Sequence, residues 1–204
     1  MRKNIGWSVM TILSLLIVLV VSRYLTLNPE MYFPEQRAVY LANQTAVILH
    51  VIGGILALGL GPWQFLVRLR EKRPSVHRWV GRIYLLGVLV GGLAGLYMST
   101  FAYTGIVATL GFATLAVLWL GSGFMALRDI RQGNVDAHRR WMVRNFALTF
   151  AAVTLRLEMP FLTMAFGGEV GYMIVAWSCW LPNLLVVEWW MRRQSATALQ
   201  PATS

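Results

Sequence analysis

The chain has 204 residues, of which 57% are hydrophobic and 13% charged, with a formal net charge of +10. It holds one cysteine, Cys179, which excludes an internal disulfide and points away from a cysteine metal site. Uncharged stretches of about 18 or more residues recur along the chain, the length of a membrane helix, whereas the ten-residue alternation of a membrane barrel is absent.

These features predict an all-α, polytopic membrane protein, because helices pair their own backbone polar groups in lipid. Six spans are expected, near 5–21, 46–67, 83–102, 106–127, 142–164 and 170–190, within a single transmembrane domain over 1–193. The first span follows Arg2 and Lys3 and has the length of a secretory signal. The sequence "VVSRYL" after it lacks a small-residue cleavage site, so an uncleaved helix is expected. The stretch 23–45 is the long connection on the far side, and Pro34 is placed to open a short helix leading into span two.

Span two carries His50 in "VILHVIGG", then Gly53, Ala57 and Gly61 at four-residue spacing. Span three repeats that spacing with Gly87, Gly91 and Gly95. Such ridges of small residues let helices approach closely. "YTG" and "FGGEVG" read as tight turns, and Pro160 and Pro182 are kink positions in spans five and six. The tail "QSATALQPATS", residues 194–204, is small and polar and is expected to be disordered on the cytoplasmic side.

Orientation follows from Lys and Arg. If six spans alternate, all 18 basic residues except Arg23, Arg37 and Arg156 fall on the side of the two termini. That asymmetry predicts an inner-membrane protein with both termini cytoplasmic. The net charge then reflects this bias and attraction to anionic lipid headgroups. Nucleic acid is not an expected partner, since no basic domain stands outside the membrane.

One motif is written twice at the cytoplasmic face: "VHRWVGR" at residues 76–82 and "AHRRWMVR" at residues 137–144. The approaches to them, "VRLREK" and "ALRDIR", are also basic. The copies join span two to three and span four to five. They suggest two similar helical hairpins related by a pseudo-two-fold axis along the membrane normal, with His77 and His138 in equivalent places.

The segments "HRWVGRIY" and "HRRWMVRNFALTFAAVTLRLEMP" resemble a bacterial membrane family, domain of unknown function 2306, and the resemblance extends from about the second span to the sixth. It implies a multi-span membrane protein. Activity has to be argued from the residues.

Two readings of the duplicated motif stay open. In one, His77, Arg78, Arg82, His138, Arg139, Arg140 and Arg144 anchor helix ends at the headgroups and hold lipid phosphates. In the other, His77 and His138 are axial ligands of a b-type haem and the arginines pair with its propionates. A six-helix protein with facing His resembles, in architecture only, the cytochrome b561 group. That group uses two buried His pairs, where this chain has one possible pair at helix ends. Apart from the haem iron no metal is expected, because two His without a carboxylate make a poor zinc site.

A second group lies in the outer half of the bilayer. Arg156 is twelve residues beyond Arg144, about 18 Å along a helix, and an Arg at that depth needs a partner inside the bundle. His50 falls at comparable depth, and with Glu158 the three are a candidate polar pocket for a quinone, a small anion or a second haem propionate. A buried structural ion pair is the alternative.

Hydrolase, nucleotide-binding and metalloprotease signatures are absent. The candidate functions are therefore a small redox protein using haem or quinone, or a non-enzymatic lipid-binding scaffold or complex subunit, with a homo-oligomer also compatible. Transport is the weaker reading, since no broken helix stands out beyond the two prolines.

Overall fold

The computed structural model describes residues 2–198, with side chains over 5–194. Its helices are α1 (Arg2–Ser22), α2 (Arg37–Ala42), α3 (Gln44–Gln64), α4 (Val67–Lys72), α5 (Pro74–Ser99), α6 (Ile106–Arg131), α7 (Val135–Thr149), α8 (Ala151–Phe166), α9 (Gly168–Ser178) and α10 (Leu181–Ala198), and there is no strand among the described residues. Six segments are long and apolar enough to cross a membrane: Ile5–Thr26, Gln44–Gln64, Pro74–Ser99, Ile106–Arg131, Val135–Phe166 and Gly168–Gln194. All six expected spans are present. Several run further into basic sequence than apolar length alone indicates, because Arg, His and Trp continue a helix while keeping their polar ends wet. α10 reaches Ala198, within the stretch expected to be a tail, and 199–204 lies outside the described residues.

The fifth and sixth crossings are each made of two helices. The sixth breaks at Cys179 and Trp180, just ahead of Pro182, where a proline ring cannot continue the preceding turn. The fifth breaks at Phe150, ahead of α8, while Pro160 sits inside an unbroken helix. The cause at Phe150 is local: the Thr149 hydroxyl donates to Asn145 O at 2.9 Å and the Thr154 hydroxyl to Phe150 O at 3.3 Å. Hydroxyls bonded back to the preceding turn bend helices.

The closest packing joins α3 and α5. A Cβ placed on Gly53 would stand 2.4 Å from Gly91 N and 2.5 Å from Gly87 O, so the two backbones touch through glycine. The small-residue ridges thus act as a packing seam. α1 lies on α3 and is tied there by Trp7 Nε1, which donates to Pro62 O at 2.9 Å.

The two His-bearing hairpins turn differently. Between α3 and α5 the chain inserts the short helix α4, whereas α6 and α7 are joined by a turn through Gly133 at φ +78°. At the opposite end, called the far end below, the segment after α1 folds into 3-10 turns at Arg23–Thr26, Pro29–Met31 and Pro34–Gln36 before α2. Pro34 opens the turn expected of it. Gln36 Nε2 donates to Phe101 O at 2.9 Å, and the Tyr24, Tyr32 and Tyr40 rings pack together, Tyr24 stacked on Tyr32 and Tyr40 edge-on to Tyr32.

Candidate basic-end ligand site

At the centre of the bundle a polar network links α5, α6 and α7. Tyr84 donates its hydroxyl to Asn145 Oδ1 at 2.6 Å and lies 3.0 Å from Thr149 Oγ1. Asn145 Nδ2 donates to Trp119 O at 2.7 Å and Ser122 Oγ at 2.8 Å, and Trp119 Nε1 donates to Thr149 Oγ1 at 2.9 Å. Tyr84 and Asn145 are fully buried. Every member has a partner, as buried polar groups need, so the network clamps α6 to α5 and α7, the two helices whose basic ends carry the duplicated motif. Sequence reasoning missed it. The available signal was Asn145 and Thr149 one turn apart on an apolar helix.

Above this clamp, toward the basic loops, the helices splay into a cleft of about 1140 Å³. His77 and His138 both line it, with Arg70, Arg78, Arg82, Arg131, Arg139 and Arg140. Its deeper wall is apolar, formed by Leu85, Val88, Leu89, Leu120 and Phe124. Leu86, Leu89 and Phe124 are exposed on the outside of the bundle, so the cleft also opens sideways. Among the described residues no carboxylate pairs with Arg70, Arg82, Arg131 or Arg140, while Arg139 reaches Asp136 at 3.6 Å.

The two imidazoles are held differently. His138 Nδ1 lies 2.8 Å from Ala126 O. A carbonyl only accepts, so Nδ1 carries the hydrogen and Nε2 is the free nitrogen, the orientation that a second bond imposes on ligating histidines. His77 Nδ1 is buried and has no hydrogen-bond partner, and the same is true of Gln64 Nε2 on the same cleft. His77 is close enough to His138 and Arg70 to feel their charge. Unpartnered buried polar atoms are rare and call for an explanation.

Arg144 stands apart. It forms an ion pair with Glu188 of α10, its second contact being Nη2 to Oε2 at 3.1 Å, and lies over the Trp141 ring at 4.8 Å. It does not line the cleft. The Arg82 guanidinium lies 5.0 Å from the centre of the exposed Trp79 ring, the kind of pairing found at a headgroup boundary.

Toward the far end, His50 Nδ1 lies 2.8 Å from Gly91 O, in the α3–α5 seam. Arg156 donates to Ala152 O at 2.8 Å, in its own helix. Glu158 accepts from Ser178 Oγ at 2.6 Å. His50, Arg156 and Glu158 are thus each bonded to a different helix element, and Glu158 is engaged with α9.

A family model described as a predicted membrane protein, DUF2306, matches residues 47–191. No curated protein and no solved structure matches the chain.

Proposed function

Starting from a chain that belongs to the DUF2306 family of predicted membrane proteins, we propose that it is a small redox protein that binds b-type haem in the basic-end cleft. The observation that carries this reading is that His77 and His138, sixty-one residues apart in sequence, line one cleft.

The residues present fit the group. His138 offers Nε2 with its other nitrogen already fixed, and His77 lines the same cleft. Two imidazoles would serve as the protein ligands of a b-type haem iron. Arg78, Arg82, Arg139 and Arg140 supply charged donors for propionate carboxylates. Leu85, Leu89, Leu120 and Phe124 provide an apolar wall that keeps water from a flat ring. When bound, the haem supplies a one-electron couple, and a membrane quinone is a suitable exchange partner at the same face. With the Lys and Arg bias, this end is the cytoplasmic one.

A non-enzymatic reading has its own support. The cleft opens sideways past exposed Leu86, Leu89 and Phe124. That shape suits an anionic lipid whose phosphate meets the arginines and whose chains follow the helices.

Absorbance separates the two. Protein expressed with excess haem should show a Soret band that His77→Ala and His138→Ala each abolish and His50→Ala retains. A colourless wild type under those conditions rejects the haem reading and leaves the lipid site.

A further inference from the structure

The two hairpins bring matching charges to the basic-end cleft. Arg70, His77 and Arg78 of the first line it, and so do Arg131, His138 and Arg139 of the second. Arg70 and Arg131, His77 and His138, and Arg78 and Arg139 are each sixty-one residues apart. Arg82 and Arg140 have no arginine at that spacing, and each adds a third guanidinium from its own hairpin.

Among the described residues that line the cleft there is no Asp or Glu. Asp136 reaches Arg139 at 3.6 Å from an exposed position beside it. Six guanidiniums facing one space repel one another, and bound negative charge relieves that repulsion. A single phosphodiester carries one charge and can engage the arginines of one hairpin. The other hairpin presents an equivalent set, which a second phosphodiester a short linker away can meet.

The rest of the cleft says what those phosphates are attached to. At about 1140 Å³ it exceeds the roughly 300–1,000 Å³ of small-ligand sites. Along α5, Leu89 lies seven residues beyond Arg82, about 10 Å, so the walls turn from basic to apolar over that depth. Further along the space is shut. A Cβ on Gly92 would stand 2.6 Å from Leu120 Cδ2, so α5 and α6 touch there. A long apolar group cannot continue down the middle of the bundle and has to leave sideways past exposed Leu86, Leu89 and Phe124, into the surrounding lipid. A soluble diphosphate would use the arginines and leave that opening empty.

We infer that the cleft binds a lipid with two phosphodiesters joined by a short linker, of the diphosphatidylglycerol type. One phosphate meets Arg70, Arg78 and Arg82, and the other meets Arg131, Arg139 and Arg140. Basic pockets between membrane helices on the cytoplasmic side suit such headgroups. The inference rests on the lipid reading of the cleft, and a haem between His77 and His138 would compete for the same walls.

The test uses the full chain, expressed without added haem, stripped of lipid in detergent and titrated in native mass spectrometry. The probes are diphosphatidylglycerol, phosphatidylglycerol and phosphatidylcholine. Diphosphatidylglycerol should bind at least roughly fivefold tighter than phosphatidylglycerol, since each further arginine near an anionic headgroup strengthens binding by about that factor. Arg70→Gln with Arg78→Gln, or Arg131→Gln with Arg139→Gln, should bring that ratio close to one. Arg68→Gln with Arg73→Gln removes the same charge from the same end outside the cleft and should leave the ratio as in wild type. Equal binding of the two anionic lipids overturns the inference and leaves the lipid reading standing. Binding of neither above phosphatidylcholine overturns both. A ratio unchanged in either cleft pair, or lowered as much by the Arg68 and Arg73 changes, also overturns the inference, because the charge of the whole end would then be the cause. If a cleft variant does not fold, the wild-type ratio and the other pair still decide it.

Discussion

Gly53 and Gly54 are neighbours on α3 with opposite surroundings, which makes them a matched pair. A Cβ on Gly53 would stand 2.4 Å from Gly91 N and 2.5 Å from both Gly87 O and Gly91 Cα, while a Cβ on Gly54 meets nothing within 4 Å. Ordinary contact begins near 3.4 Å, so Gly53→Ala forces α3 and α5 apart by about 1 Å. The obstacle is backbone, and no side chain can swing aside. Overpacking of this kind costs about 1–3 kcal/mol. Gly54→Ala creates no clash, and Ala is better than Gly inside a helix by about 1 kcal/mol. The two variants should therefore differ by about 2–4 kcal/mol. At about 2–4 °C per kcal/mol for a chain of this size, thermal unfolding in detergent should separate their midpoints by roughly 4–16 °C. Gly53→Ala should also disturb the bond between His50 Nδ1 and Gly91 O, which spans the same seam. Equal midpoints would refute the argument that direct backbone contact joins these helices.

Other outcomes follow from the same geometry. Tyr84→Phe strips Asn145 Oδ1 of its donor and should cost about 1 kcal/mol, between the average of roughly 0.6 and the maximum of roughly 1.7 for hydrogen bonds between membrane helices. In an Asn145→Ala background the same change should cost less than half as much, and a full additive cost in the double-mutant cycle excludes the bond as its source. Arg144→Met leaves Glu188 without its partner and should cost about 1–3 kcal/mol in chemical unfolding, with Glu188→Leu added to it restoring most of the loss. Neither change should alter ligand binding in the cleft, which Arg144 does not line. Burial holds the Tyr40 phenol neutral well above its ordinary 10.0. A folded-state pKa raised above the unfolded one contributes stability below about pH 10 that is lost as pH rises further. Tyr40→Phe should therefore flatten the alkaline fall in unfolding midpoint, and an unchanged slope means that Tyr40 ionises freely in the folded protein.

Composition and apolar spacing alone establish the class of the molecule and its outline. Apolar length fixes six crossings, because a helix in lipid must satisfy its own backbone, and the glycine ridges at 53 to 61 and 87 to 95 mark where two helices meet. The duplicated motif brought His77 and His138 to attention, and both line one cleft. Tertiary structure decided what no spacing states. Arg144 and Arg140 belong to one motif, yet Arg140 lines the cleft and Arg144 turns to Glu188, forty-four residues away. Arg156 and Glu158 are two residues apart, and the acid goes to Ser178 of α9 while the base bonds back to Ala152 O of its own helix. Span five is interrupted at Phe150, where the Thr149 and Thr154 hydroxyls bond back to helix carbonyls, a break that no proline marks. In each case the deciding partner comes from a rotamer or from another helix. Hydropathy and charge are sums over a chain segment, whereas a hydrogen bond depends on where two particular atoms end up.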